Sequence, residues 1–317
     1  MKYSQITLKE RYTIDTLRKQ GQSIAEIAAF LKRHRTTIWR ELKRNRSPSH
    51  GAYEPDRADA RCRVRRSQSR RNARITERDY AIVRRYLALD WSPEQISGTL
   101  KKLRILSISH ETIYRYVWTD MAYGGSLWSH LRQSSKQRRK RYKAYDSRGR
   151  LANKRMIGER PAYIDLRKSI GHWEIDTVHG RGSNHCIVTI VERKSGYLII
   201  GKLKNKSTLE LNQRVTKLMD RFPGLFKTIT ADNGTEFHQY EKIENSTGTK
   251  FYFATPHHSW ERGTNENTNG LIRQYLPKNS SMFYLTQQEC NAIANKINDR
   301  PRKRLDFATP KEVFYGI

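Results

Sequence analysis

The stretch from Phe226 to Arg273 constrains the fold of this chain more than any other. An apolar run reaches Asp232 and stops at a turn, Asn233-Gly234, and a second apolar run then precedes a helix-like segment that carries Glu266. Upstream, another strand-like run leads to Asp176. Short β-rich runs bounded by turn residues are typical of strands. We therefore predict that three carboxylates from three separate elements meet at the edge of one sheet.

The charge of the chain indicates the kind of partner it binds. Its 317 residues predict two or three domains, and 62 basic against 31 acidic side chains give a net charge of +31. Such an excess favours a polyanion, of which nucleic acid is the commonest. The excess is larger in residues 1–150 than in the rest, so we expect the first half to hold DNA. A ribosomal or histone-like protein would also be basic, but would not need the three carboxylates.

Cysteine usage and hydropathy bear on the location of the protein. The three cysteines are far apart in sequence, which argues against a disulfide framework and against a cysteine-based zinc site. A reducing, cytoplasmic setting fits this pattern. Because no apolar run reaches the ~18 residues of a membrane span, we expect no contact with a membrane. The N-terminus has no apolar segment of the kind found in signal peptides.

Residues 7–45 have the pattern of three short helices. Thr7 with Glu10, and Ser23 with Glu26, have the spacing of capping boxes at two helix starts. A tight turn before the third helix predicts a helix-turn-helix, whose last helix would enter the major groove of DNA. The alternative is an ordinary three-helix bundle with a solvated basic face. The side chains predicted to contact DNA are Arg35, Thr36, Thr37, Arg40, Lys43 and Arg44.

The next segments repeat this pattern less clearly. Residues 53–75 are rich in arginine, which is compatible with a basic helix on phosphate or with a solvated linker. Residues 76–118 echo the first block, with Thr76, Ser92 and Ser109 as predicted caps. They predict a second helix-turn-helix, although a packing or dimerisation module remains open. Residues 135–160 are basic without apolar periodicity, and we interpret them as part of a linker that touches DNA.

From about residue 168 the pattern changes to strands. Five β-rich runs and three helical runs occur in the order β-β-β-α-β-β-α-α. This order predicts a five-stranded mixed sheet flanked by helices. The segment between the fourth and fifth strands is predicted to be a loop. The helices are predicted at Leu209–Phe222, Glu261–Tyr275 and Gln287–Ile297.

The predicted cluster of carboxylates suits a hard metal ion. Mg²⁺ prefers oxygen ligands and binds through one or two carboxylates plus substrate phosphate, and two ions about 4 Å apart can stabilise both oxygens of a phosphoryl transfer. Asp176 lies within an apolar alternation, where a carboxylate costs energy unless a cation compensates it. Taken singly, an aspartate at a strand end is more often a turn former. Glu174, two residues earlier, is expected on the same strand face and is the alternative ligand.

The motifs D-T at 176–177, D-N-G-T-E-F at 232–237, and Glu266 with Arg273 seven residues later resemble the DDE integrase core. Beyond this core, nearly the whole chain is similar to the insertion-sequence thirty family of bacterial transposases. The similarity includes TLKERYTI, SIAEIA, WSPEQI, SHETIYRYV and the closing NDRPRKRLDFATPKEVF.

This resemblance implies a ribonuclease-H-like fold, with Asp176, Asp232 and Glu266 as catalytic residues and metal ligands. It implies Mg²⁺ as cofactor, two ions per site, with Mn²⁺ able to substitute, and no zinc module. It further implies that the N-terminal helix-turn-helix binds the terminal inverted repeats of a mobile element, and that target DNA is the second partner. Arg273 shares a helix face with Glu266 and is predicted to hold a phosphate; its alternative is a surface arginine.

We thus predict N-terminal all-α helix-turn-helix modules followed by an α/β ribonuclease-H-like domain. The predicted domains are a first helix-turn-helix at 1–50, a basic connector at 51–75, a second helix-turn-helix-like domain at 76–134, a basic linker at 135–167 and the catalytic domain at 168–317. Because two ends must be joined, we expect a homo-oligomer, a dimer or higher, in the bacterial cytoplasm and associated with the nucleoid. The other hypotheses are a non-catalytic DNA-binding regulator and a nuclease without strand transfer.

Overall fold

The computed structural model describes residues 5–47, 51–68, 75–132, 154–256 and 258–317. The chain forms two compact units, Met1–Arg74 and Ile75–Ile317. Much of the predicted basic linker, residues 135–153, lies outside the described residues. Among the described residues, no helix combines the length and apolar character needed to cross a membrane.

The described part of the first unit is helical. Thr7 and Ser23 form the predicted capping boxes at the starts of the first two helices. The third helix begins after His34, and a fourth occupies part of the predicted basic connector. The helices are α1 Leu8–Lys19, α2 Ile24–Phe30, α3 Arg35–Asn45 and α4 Pro55–Gln68. Their buried core includes Ile14, Ile27, Ile38, Leu42 and Ala58.

A buried charge cluster joins three of these helices. The Arg11 side chain of α1 is almost fully buried; its Nε lies 2.7 Å from Glu41 Oε1 on α3, and its Nη1 lies 2.6 Å from Asp59 Oδ1 on α4. Arg61 of α4 donates to the carbonyl oxygen of Asn45 at 2.8 Å, where α3 ends. Cations near the last carbonyls of a helix are favourable. Part of the basic charge of α4 therefore stabilises the unit itself.

The second unit begins with a helical block capped as predicted by Thr76, Ser92 and Ser109. The block rests on the C-terminal part of the same unit. Gln95 Nε2 donates to the Pro301 carbonyl oxygen at 2.8 Å. Its helices are α5 Glu77–Ala88, α6 Pro93–Lys102 and α7 His110–Ala122.

The remainder of the second unit is built on the predicted five-stranded mixed sheet. The strand order is β3-β2-β1-β4-β5. The β1–β2 and β2–β3 pairs are antiparallel, whereas β1–β4 and β4–β5 are parallel. The strands are β1 His172–His179, β2 Cys186–Glu192, β3 Leu198–Leu203, β4 Thr228–Ala231 and β5 Lys250–Phe253.

Helices cover both faces of this sheet. Trp173 and Ile175 of β1 face a core completed by α8 and α9, while Val178 faces a second core completed by α10 and α11. Side chains alternate along a strand, so Glu174 and Asp176 share the face of Val178. The helices are α8 Thr208–Met219, α9 Tyr240–Thr247, α10 Gly263–Ile272, α11 Gln287–Asn298 and α12 Pro310–Tyr315.

One predicted element is wrong: the segment between β4 and β5 contains a helix, α9, where we expected a loop. The two strands are parallel, and parallel strands need a crossover connection, most often helical. Tyr240 and Ile243 of α9 are buried in the core between the helix and the sheet. The apolar pattern of α9 is short, and the parallel direction of the pair is not visible in the sequence.

Candidate active site

Asp176 and Asp232 lie side by side at the edge of the sheet. Asp232 directly follows β4, and the parallel pairing of β1 with β4 aligns Glu174 with Thr230. Two residues further along both strands, this register brings Asp176 opposite Asp232. The predicted convergence of these two carboxylates is therefore a consequence of strand pairing.

The two aspartates share one cation, the guanidinium of Arg262. Its Nη2 donates to Asp232 Oδ2 at 3.3 Å, and its Nη1 lies 3.6 Å from Asp176 Oδ1. The same Nη1 donates to the Ile175 carbonyl oxygen at 3.2 Å. The Arg262 side chain is 14% exposed and each aspartate 24%. Sequence reasoning missed Arg262, which lies in a short turn before α10.

Electrostatics at Asp176 indicate a site that requires positive charge. Burial raises the pKa of Asp176 above its usual value; Arg262 opposes this rise, while the nearby carboxylates of Asp232 and Glu236 add to it. A carboxylate in such surroundings is stabilised by a cation. The donor set consists of hard carboxylate oxygens already arranged around a positive group, which is the chemistry that suits a divalent metal ion.

Asn269 is a second residue that sequence reasoning missed. Its Nδ2 donates to Asp176 Oδ2 at 2.9 Å. On its other side, the Thr189 hydroxyl of β2 lies 3.0 Å from Asn269 Oδ1 and 3.0 Å from Asn265 Oδ1. A hydroxyl that donates to Asn269 Oδ1 directs the amide nitrogen toward Asp176. The available signal was the N-x-x-x-N spacing of 265 and 269, which places both side chains on one face of α10.

Glu174, the alternative ligand, has a different position. It is fully buried and accepts a hydrogen bond from the backbone nitrogen of Asn265 at 2.9 Å, in the first turn of α10. Its Oε1 lies 3.2 Å from Arg193 Nε. A carboxylate at a helix N-terminus is favourable because it satisfies free N–H groups and complements the helix dipole. Glu174 thus anchors α10, whereas Asp176 lies at the shared cation.

The turn after Asp232 is shaped by close contacts. Gly234 donates its backbone N–H to Asp232 Oδ1 at 2.9 Å. A Cβ at this glycine would lie 2.4 Å from Glu236 Oε2 and 2.9 Å from Asp232 Oδ1, so a side chain does not fit. Burial favours a higher pKa for Glu236, but hydrogen bonds from Thr177 and Lys206 bring its pKa below the usual value. The D-N-G-T-E motif therefore encodes a packed turn with two carboxylates.

Glu266 is not part of this pair of aspartates. It is exposed on α10, and it lines a cleft of about 820 Å³ together with Arg273 and His179. Within the described ranges, no three His, Cys, Asp or Glu side chains are grouped to hold a metal ion. Arg273 is held by carbonyl oxygens: its Nη2 donates to His179 at 2.9 Å, and its Nη1 to Leu276 at 3.3 Å.

The residues predicted to contact DNA lie on α3 in the first unit. Thr37 is half-buried. The other predicted contacts on this helix are exposed: Arg35, Thr36, Arg40, Lys43 and Arg44. Trp39, which we did not predict as a contact, is 47% exposed. Lys43 Nζ lies 4.6 Å from the centroid of the Trp39 ring. This helix therefore presents a basic surface with one aromatic group.

Two protein-family models match parts of the chain. A helix-turn-helix domain matches residues 2–45, and an integrase core domain matches residues 167–259. The second match contains Asp176 and Asp232 and ends before Glu266. A solved structure of the catalytic core domain of BIV integrase has a TM-score of 0.37 and 18% identity, covering 47% of this chain and 95% of that one. At that TM-score the similarity carries no further conclusion.

Relatives that match over nearly the full length are transposases. The transposase for insertion sequence element IS4351 of Bacteroides fragilis is 38% identical over 98% of this chain and 96% of its own length. Transposase InsI for insertion sequence element IS30A of Escherichia coli K12 is 40% identical over 97% of this chain and 82% of its own length. The transposase for insertion sequence element IS1086 of Cupriavidus metallidurans is 35% identical over 100% of this chain and 96% of its own length. The chain belongs to the insertion-sequence thirty (IS30) family of transposases, with a helix-turn-helix domain and a ribonuclease-H-like integrase core.

Proposed function

We propose that this transposase cuts and joins DNA through Asp176, Asp232 and Glu266, with divalent metal ions bound at the edge of the sheet. As a member of its family, the chain binds DNA and acts in transposition. The observation that supports the proposed site most is the Asp176–Asp232 pair, two carboxylates from adjacent parallel strands around one cation. A pair of carboxylates plus substrate phosphate is the usual way in which proteins hold Mg²⁺.

The proposed cofactor is Mg²⁺, two ions per site, with Mn²⁺ as a substitute. Integrase-core proteins as a family depend on divalent cations. Asp176 and Asp232 would hold the ions, and Glu266 on α10 would complete the set. When bound, the ions would activate the attacking oxygen and stabilise the charge on the attacking and leaving oxygens.

The residues of the chain itself would orient this site. Asn269 holds Oδ2 of Asp176 through its amide, and the Thr177 backbone N–H holds Oδ1, which also lies 3.6 Å from Arg262 Nη1. Glu174 fixes the N-terminus of α10, and this helix carries Glu266. Arg262 would leave the aspartates or move within the site when a metal ion binds.

The proposed reaction has two phosphoryl transfers. In the first, water attacks the phosphodiester at the end of the element, and the bond to the 3′-oxygen breaks and leaves a free 3′-OH. In the second, this 3′-OH attacks a phosphodiester of the target strand and displaces its 3′-oxygen. The protein forms no covalent intermediate, so catalysis consists of positioning and charge stabilisation.

End recognition is proposed for α3. Its residues Arg35, Thr36, Thr37, Arg40, Lys43 and Arg44 would contact the terminal inverted repeats. The arginines and lysines would bind mostly phosphate, which sets register on the duplex, and base contacts would supply specificity. Since two ends react together, we propose a homo-oligomer as the active species.

The experiment that tests the site is an assay for joined element ends in cells that carry the gene with its native flanking DNA. We expect PCR products across end junctions with wild type and with the control Asp220→Asn, an exposed aspartate that follows α8. We expect none with Asp176→Asn, Asp232→Asn or Glu266→Gln, all of which should still bind the ends. Junctions formed by Asp232→Asn would refute the proposed site.

The same assay separates the other hypotheses. Nicked ends without joined products in the wild type would favour a nuclease without strand transfer. Specific end binding with neither nicks nor junctions would favour a non-catalytic regulator.

A further inference from the structure

The cleft beside Glu266 has features of a binding site of its own. It measures about 820 Å³ and runs along α10, with Arg132, His179, Gly270, Arg273 and Lys278 among its lining residues. Its volume lies within the ~300–1,000 Å³ range of typical ligand sites. Thr177 and Asn269, a chain neighbour and a hydrogen-bond partner of Asp176, line the same cleft. Because Glu266 also lines it, the cleft is continuous with the proposed reaction centre.

The charges that line this cleft are unbalanced. Three lining residues are basic, Arg132, Arg273 and Lys278, and Glu266 is the one acidic lining residue. Across the described ranges, none of the three basic groups has a carboxylate within ion-pair distance. Positive groups that converge without a partner raise the local potential and attract anions. The missing counter-charge indicates an anionic ligand.

Neutral groups hold the two arginines in place. Arg273 donates to the carbonyl oxygens of His179 and Leu276, and Arg132 Nη2 lies 3.3 Å from Asn267 Oδ1 and 3.5 Å from Asn267 O. These contacts orient the guanidinium groups, more firmly for Arg273 than for the exposed Arg132, and do not neutralise their charge. A planar, preoriented guanidinium is well suited to phosphate.

Arg132 belongs to the helical block at the start of the second unit, not to the sheet domain. His130 Nδ1 lies 2.8 Å from Asp90 Oδ1, and the His130 carbonyl accepts from Gln274 Nε2 at 3.2 Å. The hydroxyl of Tyr275 donates to Asp90 Oδ2 at 2.9 Å. The block is thus joined to the end of α10 through His130, two residues before Arg132. Arg132 itself forms one wall of the cleft.

Gly270 makes room for Arg132. A Cβ at Gly270 would lie 3.2 Å from Arg132 Nη2, tighter than nine in ten real Cβ contacts, so the guanidinium would have to move by a few tenths of an ångström. Glycine inside a helix costs about 1 kcal/mol relative to alanine. The close approach of Arg132 gives a physical reason for a glycine at this position of α10.

Burial makes the charged form of two arginines in the cleft less favourable. It lowers the pKa of Arg273, and it lowers the pKa of Arg132, with the like charge of Arg300 contributing. Both groups remain charged near neutral pH. The charged state is therefore held at a cost that a bound anion would offset.

We propose that Arg132 and Lys278 extend the phosphate contact expected of Arg273, so that this cleft binds the sugar-phosphate backbone of the DNA strand that is being processed. The helical block of residues 75–132 then serves the reaction by supplying Arg132 as one wall. The contacts are to phosphate, so they position the strand without reading its sequence. This inference rests on the proposed function, because it takes DNA as the substrate.

The test compares the salt dependence of DNA binding for the full-length chain and its variants. The probe is a labelled duplex with one element end and its flanking DNA, titrated by fluorescence anisotropy at several salt concentrations. Each lost phosphate contact reduces the slope of log K against log[salt] by about 0.9 on duplex DNA. We expect Lys278→Ala and Arg132→Gln each to lower the slope by roughly that amount. The control is Lys101→Ala, an exposed lysine on α6 that is not among the lining residues.

Each outcome bears on the proposal. Unchanged slopes for Lys278→Ala and Arg132→Gln would overturn it, and so would an equal decrease for Lys101→Ala, which would indicate a diffuse basic field. Lys278 is exposed, so its variant remains informative even if Arg132→Gln is unstable. If the slopes fall as expected but the wild type yields no nicks and no junctions, the cleft binds DNA while the proposed function fails.

Discussion

Replacing Arg262 by glutamine tests whether its guanidinium stands in for a metal ion. The side chain places its two Nη atoms 3.3 Å from Asp232 Oδ2 and 3.6 Å from Asp176 Oδ1. Glutamine keeps a polar side chain but removes the positive charge. Without metal, two adjacent carboxylates would remain buried with no cation between them. We therefore expect a less stable protein that binds divalent cations more tightly.

The distances set the size of this effect. Two unit charges about 3.5 Å apart interact by about 5 kcal/mol at an effective dielectric constant of about 20. Desolvation of the arginine offsets part of this gain, and removing one partner of a buried ion pair costs about 3–5 kcal/mol. Because the aspartates keep some contact with solvent, we take a value at or below the lower limit of that range, about 2–3 kcal/mol. If this energy opposes metal binding in the wild type, the Arg262→Gln variant binds metal about 30- to 150-fold more tightly.

The measurement uses the full-length protein without DNA. Isothermal titration with Mn²⁺ gives the affinity, and thermal unfolding with and without Mg²⁺ gives the stability. We expect Arg262→Gln to melt below wild type without metal, and the gap to close as metal is added, because binding to the native state stabilises it. Arg221→Gln, at an exposed arginine after α8, is the matched control. Equal Mn²⁺ affinities, with a melting difference that metal does not change, would show that Arg262 does not compete with the ion.

Four further substitutions test other parts of the structure. Asn269→Ala should lower Mn²⁺ affinity or strand cleavage about 10- to 100-fold, the usual effect of removing a group that orients a metal ligand; unchanged values would exclude this role. Gly234→Ala should cost about 1–3 kcal/mol in unfolding free energy because its Cβ overlaps buried oxygens, and a neutral result in urea unfolding would argue against the packed turn. Arg11→Met should cost the first unit about 3–5 kcal/mol in urea unfolding because the buried Glu41 carboxylate loses its cation, while Asp59 keeps its pair with Arg63. A cost under about 1 kcal/mol would contradict a structural role. Burial acts to raise the pKa of Glu10, but hydrogen bonds from Arg33 and Thr7 bring it below the usual 4.5. The ionised Glu10 side chain therefore stabilises the fold above pH 4.5, and this stabilisation disappears as the pH falls through the lowered pKa. The stability difference between wild type and Glu10→Gln should vanish in acid, and a difference that persists there would refute this assignment.

Much of the fold was predictable because local patterns and tertiary structure agree. The capping boxes at Thr7, Ser23 and Thr76 are local, and each forms as its sequence indicates. The five strands were visible as β-rich runs because most of their residues are buried. α9 was missed because its pattern is short and because the parallel β4–β5 pair is a property of the folded sheet.

The site was predictable only in part, for the same physical reason. Asp232 directly follows the apolar run of β4, and Asp176 interrupts the apolar alternation of β1, so the pattern of these two runs indicated their convergence. Arg262 reaches Asp176 through the position of the turn before α10, and Arg132 reaches the cleft because a helical block is joined to the sheet domain. Neither contact has a local sequence signal. Contacts of this kind depend on long-range packing, which residue spacing does not encode.

The choice between Glu174 and Asp176 shows which property distinguishes a structural carboxylate from a candidate ligand. Both side chains lie on one face of β1, so alternation gives no preference. Glu174 Oε2 accepts from the Asn265 backbone N–H, which holds α10 on the sheet, and Glu174 Oε1 lies 3.2 Å from Arg193 Nε. Asp176 accepts from the Asn269 amide at Oδ2 and from the Thr177 backbone N–H at Oδ1, and its nearest cation is an arginine that it shares with Asp232. We therefore expect an incoming cation to replace that arginine and leave the contact of Glu174 with α10 intact, whereas a cation at Glu174 would have to disrupt the helix start.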